Sequence, residues 1–165
     1  MENDQSAYVL VDASPLISFL KIGRFDLLGI FNIPLACTDF VRAEVRRPRE
    51  SLENLIISQQ IKEIPLVDPT HLLEVEKLRA EGLGRGEASS IVLAQDHAYR
   101  LILDDKRARK KALKMNVTPY STVDVIVCNI QARKLTLQEA DSFIFEWKAL
   151  GEFPVSCKSF QEFLP

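Results

Sequence analysis

Residues 100–111 read "RLILDDKRARKK": a short apolar run, two adjacent carboxylates, then a dense basic stretch. The run "RLILD" (100–104) has the composition of a buried strand, and "KRARKKALK" (106–114) reads as a helix entered directly from it. The same order occurs near the start of the chain. There "YVLV" (8–11) is a β-branched apolar run suited to a strand buried on both faces, and it ends at Asp12. Ser14 is then the expected N-cap, with Pro15 at the first helical position. A helix through Leu16, Phe19 and Leu20 follows, with Gly23 as its stop.

Between these two units the pattern repeats. "IPLACT" (33–38) reads as a second strand, with Thr38 capping a short helix "DFVRAEVR". Pro48 interrupts, a helix covers about residues 51–60, and "IKEIPLV" is a third strand. Pro69-Thr70 opens a helix from 71 to about 80, ended by the glycine-rich "EGLGRGE". From Glu87 the residues Ala88, Ile91, Val92 and Ala94 recur at helical spacing. After the basic helix, "VTPY" (117–120) is a last short strand, followed by a helix over 122–132. Thr136 and Glu139 then form a capping box for a helix of about 14 residues. Strands alternating with helices predict an α/β fold of three α/β/α layers, with a central, mostly parallel sheet of about five strands. The length of 165 residues suits one domain spanning 1–165, and no repeat or long linker divides it.

Right-handed crossovers leave the carboxyl ends of parallel strands along one edge, where ligands bind in such sheets. Asp12 follows the first strand, and Asp104 and Asp105 follow the fourth. Glu87 opens the helix leading into the fourth strand. Glu44 follows the second strand, three residues after Val41 and one before Val45, at the border of a buried stripe. Each has a local explanation. Asp12 suits a turn, Glu87 a helix N-terminus, Asp105 an N-cap and Asp104 a strand end, while Glu44 could pair with Arg42 or Arg47. Taken jointly, four elements bring carboxylates to one edge. Their mutual repulsion implies a cation, and carboxylate oxygens suit Mg²⁺ or Mn²⁺.

The net charge of −2 gives no global field for a polyanion, so a nucleic-acid site must come from local clusters. Lys106, Arg107 and Arg109 are the candidates beside the acidic edge, with Arg46, Arg47 and Arg49 as a second group. Alone, the basic helix reads as a solvated face. Cys37, Cys128 and Cys157 stand far apart with no C-x-x-C pair, which suits buried thiols in a reducing cytoplasm. His71 and His97 have no Cys or His at ligand spacing and read as surface or packing residues. "GLGRGEAS" follows a helix and lacks the Lys-Ser/Thr ending of a phosphate loop. Ser89 and Ser90 read as packing, and no acyl-transfer triad assembles. The acidic start "MENDQSA" is unlike a signal peptide, and no apolar run is long enough to span a bilayer.

In order and spacing, "VLVDASPLI", "VRAEV", "GRGEASSIVLA" and "LILDDKRARKKA" resemble the four acidic motifs of PIN-domain nucleases, over about residues 8–130. The resemblance, to VapC-like small prokaryotic members, implies Mg²⁺- or Mn²⁺-dependent endonucleolytic cleavage of RNA. It places Asp12, Glu44, Glu87 and the Asp104–Asp105 pair on metal-binding, catalytic positions. Lys106, Arg107 and Arg109 would then hold RNA. It further implies a toxin of a toxin–antitoxin pair, with an antitoxin protein and a second copy of the chain as candidate partners. Glu87 stands where many relatives have Asp. Leu103 stands where many have Thr or Ser two residues before the last acid, a register that would make Asp105 the key residue and leaves the choice between the two aspartates open. The alternative is a PIN-like module that binds RNA or a partner protein without cutting. A phosphotransferase with Asp12 as nucleophile fits less well, because Ser14 stands where its second acid belongs.

Overall fold

The computed structural model describes residues 6–165. Four strands, β1 (Val9–Val11), β2 (Leu35–Thr38), β3 (Ile61–Ile64) and β4 (Arg100–Ile102), form a wholly parallel sheet in the order β3-β2-β1-β4. The expected fifth strand, "VTPY", is reduced to a single bridge between Ile102 and Tyr120. Tyr120 accepts from Leu103 N and donates to Leu101 O, both at 2.8 Å. Pro119 has no N–H with which to extend the ladder, and Ser121 already caps the next helix. About five strands therefore becomes four and a bridge.

The strands' alternation divides the core into two. Val9, Val11, Leu35, Cys37 and Ile102 face one side. Here they meet Leu16 and Phe19 of α1 (Ala13–Lys21), Leu52 of α3 (Arg49–Ile57), Val125 and Ile126 of α7 (Thr122–Gln131), and Phe143 and Trp147 of α8 (Leu137–Ala149). Leu10, Ala36, Leu101 and Leu103 face the other side. Their partners are Val75 and Leu78 of α4 (Pro69–Ala80), Ile91 and Val92 of α5 (Arg85–His97), and Ala108 and Ala112 of α6 (Lys106–Lys114). Period-two strands with apolar residues on both faces must be covered twice, and the result is three layers. Trp147, at 1% exposure, satisfies its indole by donating to the Ser18 carbonyl at 2.8 Å.

Local signals place most helix ends. Thr38 Oγ1 accepts from Val41 N at 3.1 Å and starts α2 (Asp39–Glu44), while Thr136 and Glu139 close the capping box of α8. The start of the first helix differs from expectation. The helix α1 begins at Ala13 with Asp12 as N-cap, so Pro15 is its third residue and Ser14 is exposed. Proline is tolerated there because the first-turn amides have no intrahelical partner. The Asp12 side chain makes no N-cap hydrogen bond. Two 3-10 segments, Phe25–Phe31 and Phe160–Phe163, lie in stretches to which the sequence reading assigned no element. Among the described residues no helix is long and apolar enough to cross a membrane, and the three cysteines are unpaired.

Candidate functional site

The carboxyl ends of β1 and β4 are tied together where Asp12 N donates to the Ile102 carbonyl at 3.0 Å. This puts the Asp12 side chain beneath the edge of the sheet, 3% exposed. Among the described residues, its Oδ1 has no hydrogen-bond partner. A buried carboxylate oxygen without a donor strongly disfavours the charged form. Burial, then Glu87, with Glu44 and Asp104 adding, pushes the Asp12 pKa from its ordinary 3.8 up to about 8, although the Ala13 amide works the other way.

The neighbouring carboxylates are each engaged at a helix start. Asp104, just past β4, accepts from Thr122 N at 2.7 Å and Thr122 Oγ1 at 2.6 Å, at the beginning of α7. Burial still raises its pKa against those bonds and the nearby Arg109. Asp105 is exposed and caps α6, its Oδ1 accepting from Ala108 N at 2.8 Å. Glu87 is half-buried, and its Oε2 accepts from Gly84 N at 2.9 Å. Burial raises its pKa, with Asp105 and Glu44 adding to the effect and the Gly84 amide opposing it.

Glu44, at the end of α2, crosses to α5 instead of pairing with Arg42, which binds Glu53 and Glu63. Its Oε1 accepts from Gly86 N at 2.8 Å. A Cβ on Gly86 would lie 2.6 Å from Glu44 Oε2, so glycine is what permits this approach. A buried relay holds the two helices in register. Ser89 Oγ donates to the Gly86 carbonyl at 2.7 Å, which leaves Thr38 Oγ1 to donate its proton to Ser89 Oγ at 2.7 Å. Ser89 thus does more than pack. Gly86→Ala should leave the fold intact, because a flexible side chain can move away. It should displace the Glu44 carboxylate and lower any activity needing it by about 10–100-fold, as shell substitutions do. Equal activity in the two proteins would leave Glu44 as a helix-end partner only.

At this sheet edge Asp12 feels the charges of Glu87, Glu44 and Asp104, and Glu87 in turn feels those of Asp105 and Glu44. A pocket of about 450 Å³ opens there, with Glu87, Asp104, Asp105, Ser14 and Lys106 on its wall. The segment Glu152–Ser156, which sequence reasoning did not connect to the site, also lines it, while Asp12 and Glu44 are not among its lining residues. Lys21 pairs with Glu152 at 2.5 Å, and farther along Asp141 anchors the chain by accepting from Ser159 Oγ at 2.7 Å and Phe160 N at 2.8 Å, with Phe160 fully buried. The one local sign of this anchor was the Ser159–Glu162 capping box. A larger pocket of about 560 Å³ lies at the amino ends of the strands, where Arg42 is already neutralised by its two glutamates.

The three expected basic residues are separated. Lys106 lines the acidic pocket. Arg107 donates to the Glu81 carbonyl and lies against Gly82, in a groove shared with Lys110, Lys111 and Lys114. Arg109 turns back, its Nη1 donating to the Leu103 carbonyl at 2.9 Å and its Nη2 4.0 Å from Asp124. Side chains on successive helical positions point about 100° apart, so adjacency in sequence did not mean a shared face.

The donor set is all oxygen, and the orphaned Asp12 Oδ1 lacks a counter-charge. Both features fit a hard divalent cation held by carboxylates. A family model described as PIN domain matches residues 8–165, well past the stretch in which the acidic motifs were legible. No curated protein matches the chain significantly. PIN domains are commonly nucleases and typically use divalent metals. With a match running from β1 through the wall of the acidic pocket, the chain belongs to the PIN-domain family.

Proposed function

We propose that this protein is a metal-dependent endoribonuclease that hydrolyses RNA phosphodiester bonds at the Asp12 edge of the sheet. One observation carries the reading: a buried carboxylate with an unpartnered oxygen sits among the charges of Glu87, Glu44 and Asp104. Asp12, Asp104, Glu87, Glu44 and Asp105 would hold Mg²⁺ or Mn²⁺, with the two aspartates sharing the role that the sequence left undivided. When bound, the ion supplies an activated water and charge neutralisation at the scissile phosphate. The protein's own groups do the rest. Helix-start amides hold Glu44, Glu87 and Asp105 in place through one oxygen each, leaving the second for another partner. Lys106 attracts the phosphate backbone, and Phe153, Pro154 and Val155 line the same pocket.

The non-catalytic reading has one observation in its favour, because Glu87 and Asp105 both have helix-capping roles that need no metal. Incubating the purified protein with diverse RNAs, with Mn²⁺ or with EDTA, separates the two. Cleavage that requires Mn²⁺ supports the nuclease; RNA binding with no cleavage in Mn²⁺ leaves the module. A toxin restrained by an antitoxin protein is the narrower version of the proposal and rests on the family resemblance.

The basic residues provide a further test. Neutralising Lys106, Arg107 and Arg109 together should weaken RNA binding and flatten its salt dependence. Lys106→Ala alone should account for much of this, removing about 0.7 from the log–log salt slope if it meets one phosphate of a single strand. A slope unchanged in the triple variant would place RNA elsewhere.

A further inference from the structure

At the far end of α5 from Glu87, three side chains from two separate stretches of sequence meet at the surface. His71 is the third residue of α4, and Asp96 and His97 are the last two of α5. His71 Nε2 lies 3.0 Å from Asp96 Oδ2, and His97 Nε2 lies 3.5 Å from the same oxygen. One nitrogen from each imidazole and one carboxylate oxygen all fall within 4.8 Å of one another. Ten residues of helix separate His97 from Glu87, about 15 Å along the axis, so this cluster is distinct from the acidic pocket.

We propose that His71, Asp96 and His97 form a binding site for a zinc-class transition-metal ion that clamps the open end of the α4–α5 hairpin. Two imidazoles and one carboxylate suit Zn²⁺, Co²⁺ or Ni²⁺, in contrast to the all-oxygen set at Asp12. Tetrahedral Zn²⁺ with ligands at roughly 2.0–2.2 Å needs ligand atoms about 3.3 Å apart. Two of the observed separations, 3.0 and 3.5 Å, are already near that value, and the third, at most 4.8 Å, reaches it by closing no more than about 1.5 Å, within the freedom of side chains that are 15%, 54% and 45% exposed for His71, Asp96 and His97. Three protein ligands leave a fourth position for water.

A hydrogen bond accounts for His71 on Asp96, but 3.5 Å is too long to account for His97 in the same way. An ion accounts for both. The His97 ring is held by stacking on Tyr99, with centroids 5.1 Å apart, and Tyr99 in turn meets Tyr8 edge-on at 5.5 Å. Ordered outer contacts of this kind orient metal-binding imidazoles. The two helix ends that meet here are of opposite polarity and largely offset, so affinity rests on the three side chains.

The test uses full-length protein freed of any histidine tag and stripped with EDTA. Titration with Co²⁺ in excess Mg²⁺, which fills the acidic edge, should give a visible absorption band saturating near one ion per chain and displaced by Zn²⁺, and Zn²⁺ should raise the thermal midpoint under the same conditions. His71→Gln and His97→Gln should each weaken Co²⁺ binding by at least about tenfold. Asp12→Asn should bind as the parent does. No Co²⁺ band in the parent, parent-like affinity in both glutamine variants, or loss of the band in Asp12→Asn would each overturn the proposal. Circular dichroism checks folding, and if His71→Gln misfolds, the more exposed His97→Gln decides.

Discussion

Asp12→Asn is expected to reduce metal-dependent RNA cleavage by at least about 100-fold while leaving the protein folded. Substitutions one shell beyond a metal's ligands already cost about 10–100-fold, and Asp12 is placed to be a ligand. Asn keeps the shape and removes the charge. In the metal-free protein that charge is unwelcome, since burial and three neighbouring carboxylates hold the Asp12 pKa near 8. The same substitution should therefore raise the thermal midpoint of EDTA-treated protein at pH 8 and abolish the rise that Mn²⁺ gives the parent. A variant that cut RNA as fast as the parent would reduce Asp12 to a turn residue. A variant that lost cleavage and also lost stability in EDTA would show that the carboxylate is structural.

The second large effect is the pH dependence of stability without metal. The folded Asp12 pKa of about 8 lies above the ordinary value of 3.8 that applies in the unfolded chain. Between those values the folded state keeps a proton that the unfolded state has released, so stability falls as pH rises. Glu87 and Asp104 are also raised by burial and act in the same direction. Glu53 and Glu139 are lowered by Arg42 and by Thr136, and their opposite contributions are lost only as pH falls into the carboxylate range. From pH 5 to pH 8 the raised group dominates, at up to about 1.4 kcal/mol per pH unit for one full proton. Urea midpoints measured in EDTA should decline across this interval, and Mn²⁺ or Asp12→Asn should flatten the decline. A parent whose midpoint is constant over pH 5–8 in EDTA would mean that Asp12 is not strained by its neighbours.

Much of the scaffold was legible because its signals are local. The helix over residues 106–114 follows from a carboxylate cap and an unbroken run of helix formers, and the capping box at Thr136 and Glu139 lies within one turn. The parallel sheet followed from strands alternating with helices, and the strand ends then marked Asp12, Asp104 and Asp105 as neighbours. The same local reading overcounted "VTPY", where composition supports a strand but Pro119 limits it to one bridge.

What only the tertiary structure decided concerns distance and direction between elements. Glu44 binds Gly86 across 42 positions, and Lys106, Arg107 and Arg109 diverge to three environments. Part of the pocket's lining comes from residues 152–156, and His71 meets His97 through the α4–α5 hairpin. Capping and periodicity are set by atoms a few residues apart, so the sequence determined the elements and the edge where carboxylates collect. Which side chains touch across that edge depends on how helices pack over the two cores, a non-local balance of apolar burial that no short stretch of chain contains.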